Sequence, residues 1–129
     1  FRTQNVLAEG VKQIQDVQKA KRTQIKDKSK TWNTARTEAL ELDNLIEVAL
    51  ATLISAEARK ESRGAHQRLD GPDGAYTQRD DVNFLKHSDA FYVPGAAPRI
   101  TYGDVKITKS PPAARVYGAA GEKADQERK

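Results

Sequence analysis

Between Thr3 and about Arg22 the apolar residues stand at Leu7, Val11, Ile14 and Val17, separated by four, three and three positions. At 3.6 residues per turn these share one face, so the segment predicts an amphipathic helix with a single narrow apolar stripe. Gly10 lies inside it and costs about 1 kcal/mol relative to alanine, which either reflects a closely approaching backbone or marks an outward-facing weak point. Asn33 or Thr34 supplies a side-chain oxygen to cap the next helix, and no glycine or proline interrupts the chain from there to Gly64. The second helix is therefore predicted to run for roughly 27 residues, about 40 Å, and to end at Gly64. Leu42, Leu45, Ile46, Ala49, Leu53 and Ala56 form its stripe, Leu40, Leu50 and Ile54 broaden it, and Val48 lies elsewhere.

An apolar arc near half the circumference needs neighbours on two sides, whereas the first helix offers one narrow stripe. A third helix is accordingly expected upstream of Phe1, or a second copy of the chain in its place, because leaving the arc wet costs several kcal/mol. Past Gly64 the chain turns at Asp70, Gly71, Pro72, Asp73 and Gly74. Asp80 or Asp81 caps a short helical turn through Val82 to Lys86. Phe91, Tyr92 and Val93, the Pro94-Gly95 turn signal, and Ile100, Tyr102, Val105 and Ile107 then predict two extended segments in a hairpin. The fold class read from this pattern is mainly α. It is a partial helical bundle of two long antiparallel helices with the third helix missing upstream, then an irregular C-terminal segment with a β hairpin. Residues 1–118 are read as one helical domain and 119–129 as a charged, disordered tail.

Composition changes the picture in two places. Neither cysteine nor methionine occurs among the 129 residues. The first absence removes thiol nucleophiles, disulfides and cysteine-type metal sites. The second, in a chain beginning at Phe1, leads us to expect a piece of a longer polypeptide. No run approaches the roughly 20 apolar residues of a membrane span, so a soluble piece is expected. Charge is uneven: residues 1–68 hold 13 basic and 9 acidic side chains, and the remainder holds 9 of each. The excess sits in Lys19, Lys21, Arg22, Lys26, Lys28 and Lys30, relieved by Asp27 and followed by Trp32. A nucleic-acid module would want such a patch, but no motif or row of aromatics frames it. A solvated helix end facing the negative pole of its own dipole explains it better.

The densest polar cluster is Arg59 to Arg68 with Arg79, Asp80, Asp81 and His87. Ser62, His66 and Asp70 have the residue types of a nucleophile, base and orienter, without spacing that aligns them. His66, His87, Asp80 and Asp81 have the types of a metal site, without a close ligand pair. The third reading pairs Arg63, Arg68 and Arg79 with Asp70, Asp80 and Asp81 as forked ion pairs that staple the loop or grip another domain. No dinucleotide fingerprint, phosphate loop or nucleophile elbow is present.

Five ordered blocks then carry a family resemblance: ESRGAH (Glu61 to His66), QRLD (Gln67 to Asp70), RDDVNFLKH (Arg79 to His87), DVKIT (Asp104 to Thr108) and PPAARVYG (Pro111 to Gly118). Together with ALELDNL (Ala39 to Leu45), they resemble the C-terminal part of the flavoprotein subunit of fumarate reductase and succinate dehydrogenase. The tail blocks are more similar to fumarate reductase and the long helix to succinate dehydrogenase.

The resemblance implies a parent that binds FAD covalently in an upstream domain and closes a capping domain over a four-carbon dicarboxylate. It implies electron exchange through an iron–sulfur subunit and a membrane anchor, on the cytoplasmic side of the inner membrane. The family's flavin-linking histidine, proton-shuttling arginine and dicarboxylate ligands lie upstream of the matched segment. No catalytic, cofactor-binding or metal residue is therefore carried over, and no cofactor or nucleic acid is expected on this piece. Arg63, His66, Arg68, Arg79, Asp80, Asp81 and His87 are assigned instead to contact with the flavin-binding and capping domains. The piece alone is expected to be inactive and to self-associate. A free-standing helical interaction module and a basic nucleic-acid-binding domain are the alternative readings.

Overall fold

The computed structural model describes residues 2–22 and 24–113. Helix α1 spans Gln4–Ala20, and the Thr3 side chain accepts a hydrogen bond from the Val6 amide at its start. Helix α2 spans Thr34–Ala58, capped by Asn33, whose Oδ1 accepts from the Arg36 amide at 2.9 Å. The helices run antiparallel: Gln4 donates to Glu57 at one end, Gln18 Nε2 donates to Glu47 at 2.9 Å, and Lys21 pairs with Asp43 at the other. Leu7, Ile46 and Leu50 are the buried apolar residues of the seam between them.

After a short turn at Pro72–Gly74, helix α3 occupies Asp81–Phe84, with the Asp80 side chain accepting from the Asn83 amide. Strands β1 (Lys86–Phe91) and β2 (Arg99–Asp104) pair antiparallel, with Ser88 opposite Tyr102 and Ala90 opposite Ile100. The mainly α architecture with a two-stranded hairpin is therefore as the pattern predicts, although Tyr92, Val93, Val105 and Ile107, expected in its extended segments, lie outside the two strands. The tail from residue 119, and most of the PPAARVYG block, lie outside the described residues.

Four local expectations are corrected. Helix α2 ends at Ala58, not at Gly64, because Arg59 turns extended (φ −87°, ψ 103°) and the last carbonyls find an arginine partner from further along the chain. Gly64, at φ 59°, instead forms the bend of a tight turn in which Arg63 and His66 exchange backbone hydrogen bonds of 2.7 and 3.1 Å. Gly10 faces the Leu53 side chain rather than a backbone. Lys86 opens β1 instead of closing α3, since the Arg59 guanidinium takes the Phe84 and Lys86 carbonyls and ends the helical turn between them.

The wide arc of α2 is divided as well. Ile46 and Leu50 turn inward, while Leu40, Leu45 and Val48 stand in solvent. No helix among the described residues is long and apolar enough to cross a membrane.

Candidate functional site

Two fully buried charged side chains organise the region where α2, the loop after it, α3 and β1 meet: Glu61 and Arg68. A charge removed from water is tolerated only when its own hydrogen bonds are supplied. Glu61 Oε1 accepts from Arg59 Nη1 at 2.7 Å and from Arg63 Nε at 2.6 Å. Its Oε2 accepts from Arg63 Nη2 at 3.0 Å and from the Asp80 amide at 2.5 Å. Arg63 thus grips Glu61 with two parallel bonds, the fork geometry that guanidinium and carboxylate share. The same Arg63 reaches Asp81 Oδ1 at 2.7 Å, and Arg79 holds the other Asp81 oxygen at 2.9 Å. Arg59 extends the network to β1, donating to the Lys86 carbonyl at 2.9 Å and to Ser88 Oγ at 2.6 Å.

Arg68 does the corresponding work at the helix ends. Its Nη1 points at the carbonyls of Ala56, Glu57 and Arg59 at 3.1 to 3.3 Å, partnering oxygens that a helix C-terminus leaves open. The cation also lies at the negative pole of α2. Its Nη2 donates to Gln4 Oε1 at 2.9 Å, and its Nε donates to Asp70 Oδ2 at 2.6 Å. Asp70 in turn accepts from the Gln4 amide at 2.7 Å, which ties the start of α1 to the loop. Among the described residues every buried side-chain nitrogen and oxygen has a partner.

These contacts set the proton equilibria. Burial pushes the Glu61 carboxyl up, but the Arg63 side chain, the Asp80 amide and Arg59 together outweigh it and hold it below the ordinary range. Asp81 is held down chiefly by the Arg63 side chain, and Asp70 chiefly by the Gln4 amide. Burial lowers His66, whose Nε2–H donates to the Arg59 carbonyl at 3.0 Å, and Arg2, Arg68 and Arg59 add to the lowering.

The structure brings Arg63, Arg68, Arg79, Asp80, Asp81 and His66 into this one region. His87 is exposed on β1 opposite Gly103 and takes no part. Ser62, His66 and Asp70 do not meet as a triad. Ser62 Oγ bonds Thr77 Oγ1 at 2.9 Å and the Arg68 amide at 3.0 Å, while His66 and Asp70 are engaged elsewhere. Among the described residues no group of three or more His, Asp or Glu side chains is arranged to hold a metal ion. Sequence reasoning missed the central role of Glu61 and Arg59. The available signal was a single acid among three cations in the run Arg59 to Arg63.

The profile of the family described as "Fumarate reductase flavoprotein C-term" matches residues 1–117. The chain belongs to that family. It is 49% identical to the fumarate reductase flavoprotein subunit of a Serratia species, covering 98% of this chain and 21% of that protein. It is 45% identical to the succinate dehydrogenase flavoprotein subunit of Rickettsia felis, covering 91% and 20%. Among solved structures, a variant of the E. coli quinol fumarate reductase chain FrdA superposes with a TM-score of 0.79 at 46% identity, over 90% of this chain and 20% of that one. The chain therefore corresponds to the C-terminal domain of such subunits and spans about a fifth of the length of these relatives.

Proposed function

We propose that this domain braces the flavin-binding and capping domains of an FAD-dependent oxidoreductase that interconverts fumarate and succinate, with fumarate reduction the favoured direction. The fumarate reductases match at 46–49% identity over 95–100% of this chain and the succinate dehydrogenases at 42–47% over 70–91%, which supports that direction. In this reading the parent complex passes electrons through an iron–sulfur subunit and a membrane anchor. It sits peripherally on the cytoplasmic side of the inner membrane. The domain alone does not turn over substrate. FAD belongs to the parent subunit, as membership of a flavoprotein-subunit family implies. No chemical step is assigned to these residues.

The observation that carries the reading is the Glu61 network. It spends two arginines and a backbone amide on fixing a loop in one shape, which is what a rigid contact surface requires. Arg63 is the member that also reaches Asp81 and remains one-quarter exposed. Replacing it (Arg63→Ala) in the intact flavoenzyme is expected to weaken subunit assembly or flavin retention while leaving discrimination among dicarboxylates in place. Unchanged assembly and flavin content with collapsed turnover would overturn the proposal.

A further inference from the structure

His66 is a half-buried titratable ring joined to the segment that leads into α1, and the bracing role does not account for it. It closes the tight turn over Gly64 and directs its Nε2–H at the Arg59 carbonyl, 3.0 Å away, the same oxygen that takes Arg68 Nη1 at 3.3 Å. The preceding residue, Ala65, offers its carbonyl to Arg2 Nη1 at 3.0 Å. The Arg2 carbonyl in turn accepts from the Leu69 amide at 2.9 Å, and the Gln4 amide donates to Asp70, so the segment before α1 lies along the loop.

Charge around the ring is lopsided. Arg59 comes from the end of α2, Arg68 from the loop and Arg2 from the first segment. The acids nearby are engaged: Glu61 with Arg59 and Arg63, Asp70 with Arg68, and Glu57 with Gln4. Glu9 of α1 lines the cavity that His66 and Arg2 share, but it is exposed, where water screens it, and it accepts from Gln13 Nε2 at 3.0 Å. From β1 the cavity receives the neutral Ser88. Among the described residues Arg2 is in no ion pair, and its guanidinium is held by the Ala65 oxygen.

A proton added to the ring therefore meets three cations. Burial first, and Arg2, Arg68 and Arg59 after it, disfavour that proton. Arg59 and Arg68 are locked by carboxylates, so repulsion is relieved at Arg2, the cation with the weakest hold. We propose that His66 and Arg2 form an acid-sensitive clasp: protonation of His66 loosens Arg2 from the Ala65 carbonyl and frees the segment leading into α1. The clasp is closed above the ordinary histidine pKa of about 6.5 and opens as pH falls through the folded midpoint. Linkage makes the effect reciprocal: docking of Arg2 lowers the proton affinity of His66 by the factor by which the proton weakens docking. One exposed charge contact gives a factor of about threefold.

Nuclear magnetic resonance of the full 129-residue chain tests both sides of this linkage. The chain has two histidines, and exposed His87 serves as the internal reference. His66 is expected to titrate below His87, and Arg2→Gln to raise the His66 midpoint by about half a pH unit while leaving His87 in place. Between about pH 7 and 5.5, above the carboxylate range, the protection factor of the Leu69 amide should fall about threefold. His66→Gln, which keeps a donor for the Arg59 carbonyl and cannot titrate, should abolish that fall. If His66→Gln disturbs the fold, the Arg2→Gln titration still decides the matter. A His66 midpoint indifferent to Arg2→Gln overturns the proposal, as does Leu69 protection that stays constant across the window.

Discussion

Glu61→Gln preserves the shape of the central side chain and removes its charge. Arg59 and Arg63 are then left facing a neutral amide whose nitrogen can only donate, as they do. Removing one partner of a buried ion pair costs about 3–5 kcal/mol, because the remaining charge stays desolvated. Arg59 and Arg63 keep 16% and 25% exposure, and Arg63 retains Asp81 at 2.7 Å, so the lower end applies, about 3 kcal/mol. At about 2.1 cal/mol/K per residue, the unfolding entropy of this chain is about 0.27 kcal/mol/K, and the loss lowers Tm by about 11 °C.

The assay is thermal and urea unfolding at neutral pH followed by far-UV circular dichroism. Tryptophan emission would report little, since Trp32 is 96% exposed in the folded state. Asp43→Asn is the internal control: it removes the pair with Lys21, whose partners are 33% and 65% exposed, and an exposed pair is worth at most about 1 kcal/mol. If Glu61→Gln and Asp43→Asn melt together, the buried carboxylate is not the organising charge and the reasoning fails.

Acidification should unfold the domain in a defined sense. Glu61, Asp70 and Asp81 are held below their ordinary range when folded, so the unfolded chain binds protons first. The stability they contribute is complete above the ordinary carboxylate pKa of about 4 and is lost as pH falls through the folded values. His66 is also depressed by burial, so its contribution is present above about 6.5 and declines below it. Melting curves are expected to be level near neutrality and to fall toward acid, with Glu61→Gln flattening the acid limb; a Tm that rises on acidification contradicts this. Glycine substitutions should have opposite signs, read from urea midpoints. Gly10→Ala places a Cβ 3.5 Å from Leu53 Cδ2, an ordinary contact, and should stabilise α1 by about 1 kcal/mol. Gly71→Ala places one 2.8 Å from the Ala75 carbonyl oxygen, whose own hydrogen bond holds the turn, and should cost about 2 kcal/mol.

Local features were legible from the sequence and the long-range ones were not. Periodicity and capping residues act within a turn or two, so α1, the Asn33 cap, the Asp80 cap and the hairpin follow from neighbouring residues. The division of α2 into an inward and an outward side did not follow. Leu45 and Ile46 are both apolar and differ by 100° around the axis, and only the position of α1 chooses between them. The true end of α2 was hidden for a related reason. Gly64 carries the local stop signal, but the partner of the last carbonyls is a side chain about ten residues on, which no local rule anticipates. In the candidate site the pairing of Arg68 with Asp70 and of Arg63 and Arg79 with Asp81 was readable from composition, whereas the Asp80 carboxylate caps α3 instead and the two-bond fork of Arg63 goes to Glu61. The centre of the site was not, since a glutamate among cations on a polar stretch has the pattern of a surface residue until Arg59 and Arg63 close over it.

The position of Arg68 bears on the order in which the chain folds. It gathers the last carbonyls of α2, the first side chain of α1 and the loop acid Asp70 around a single guanidinium. In a nascent chain the long helix therefore has a frayed end until residues on both sides of it have arrived. Completion of that end, closure of the loop and anchoring of the first turn become one concerted event rather than three successive ones.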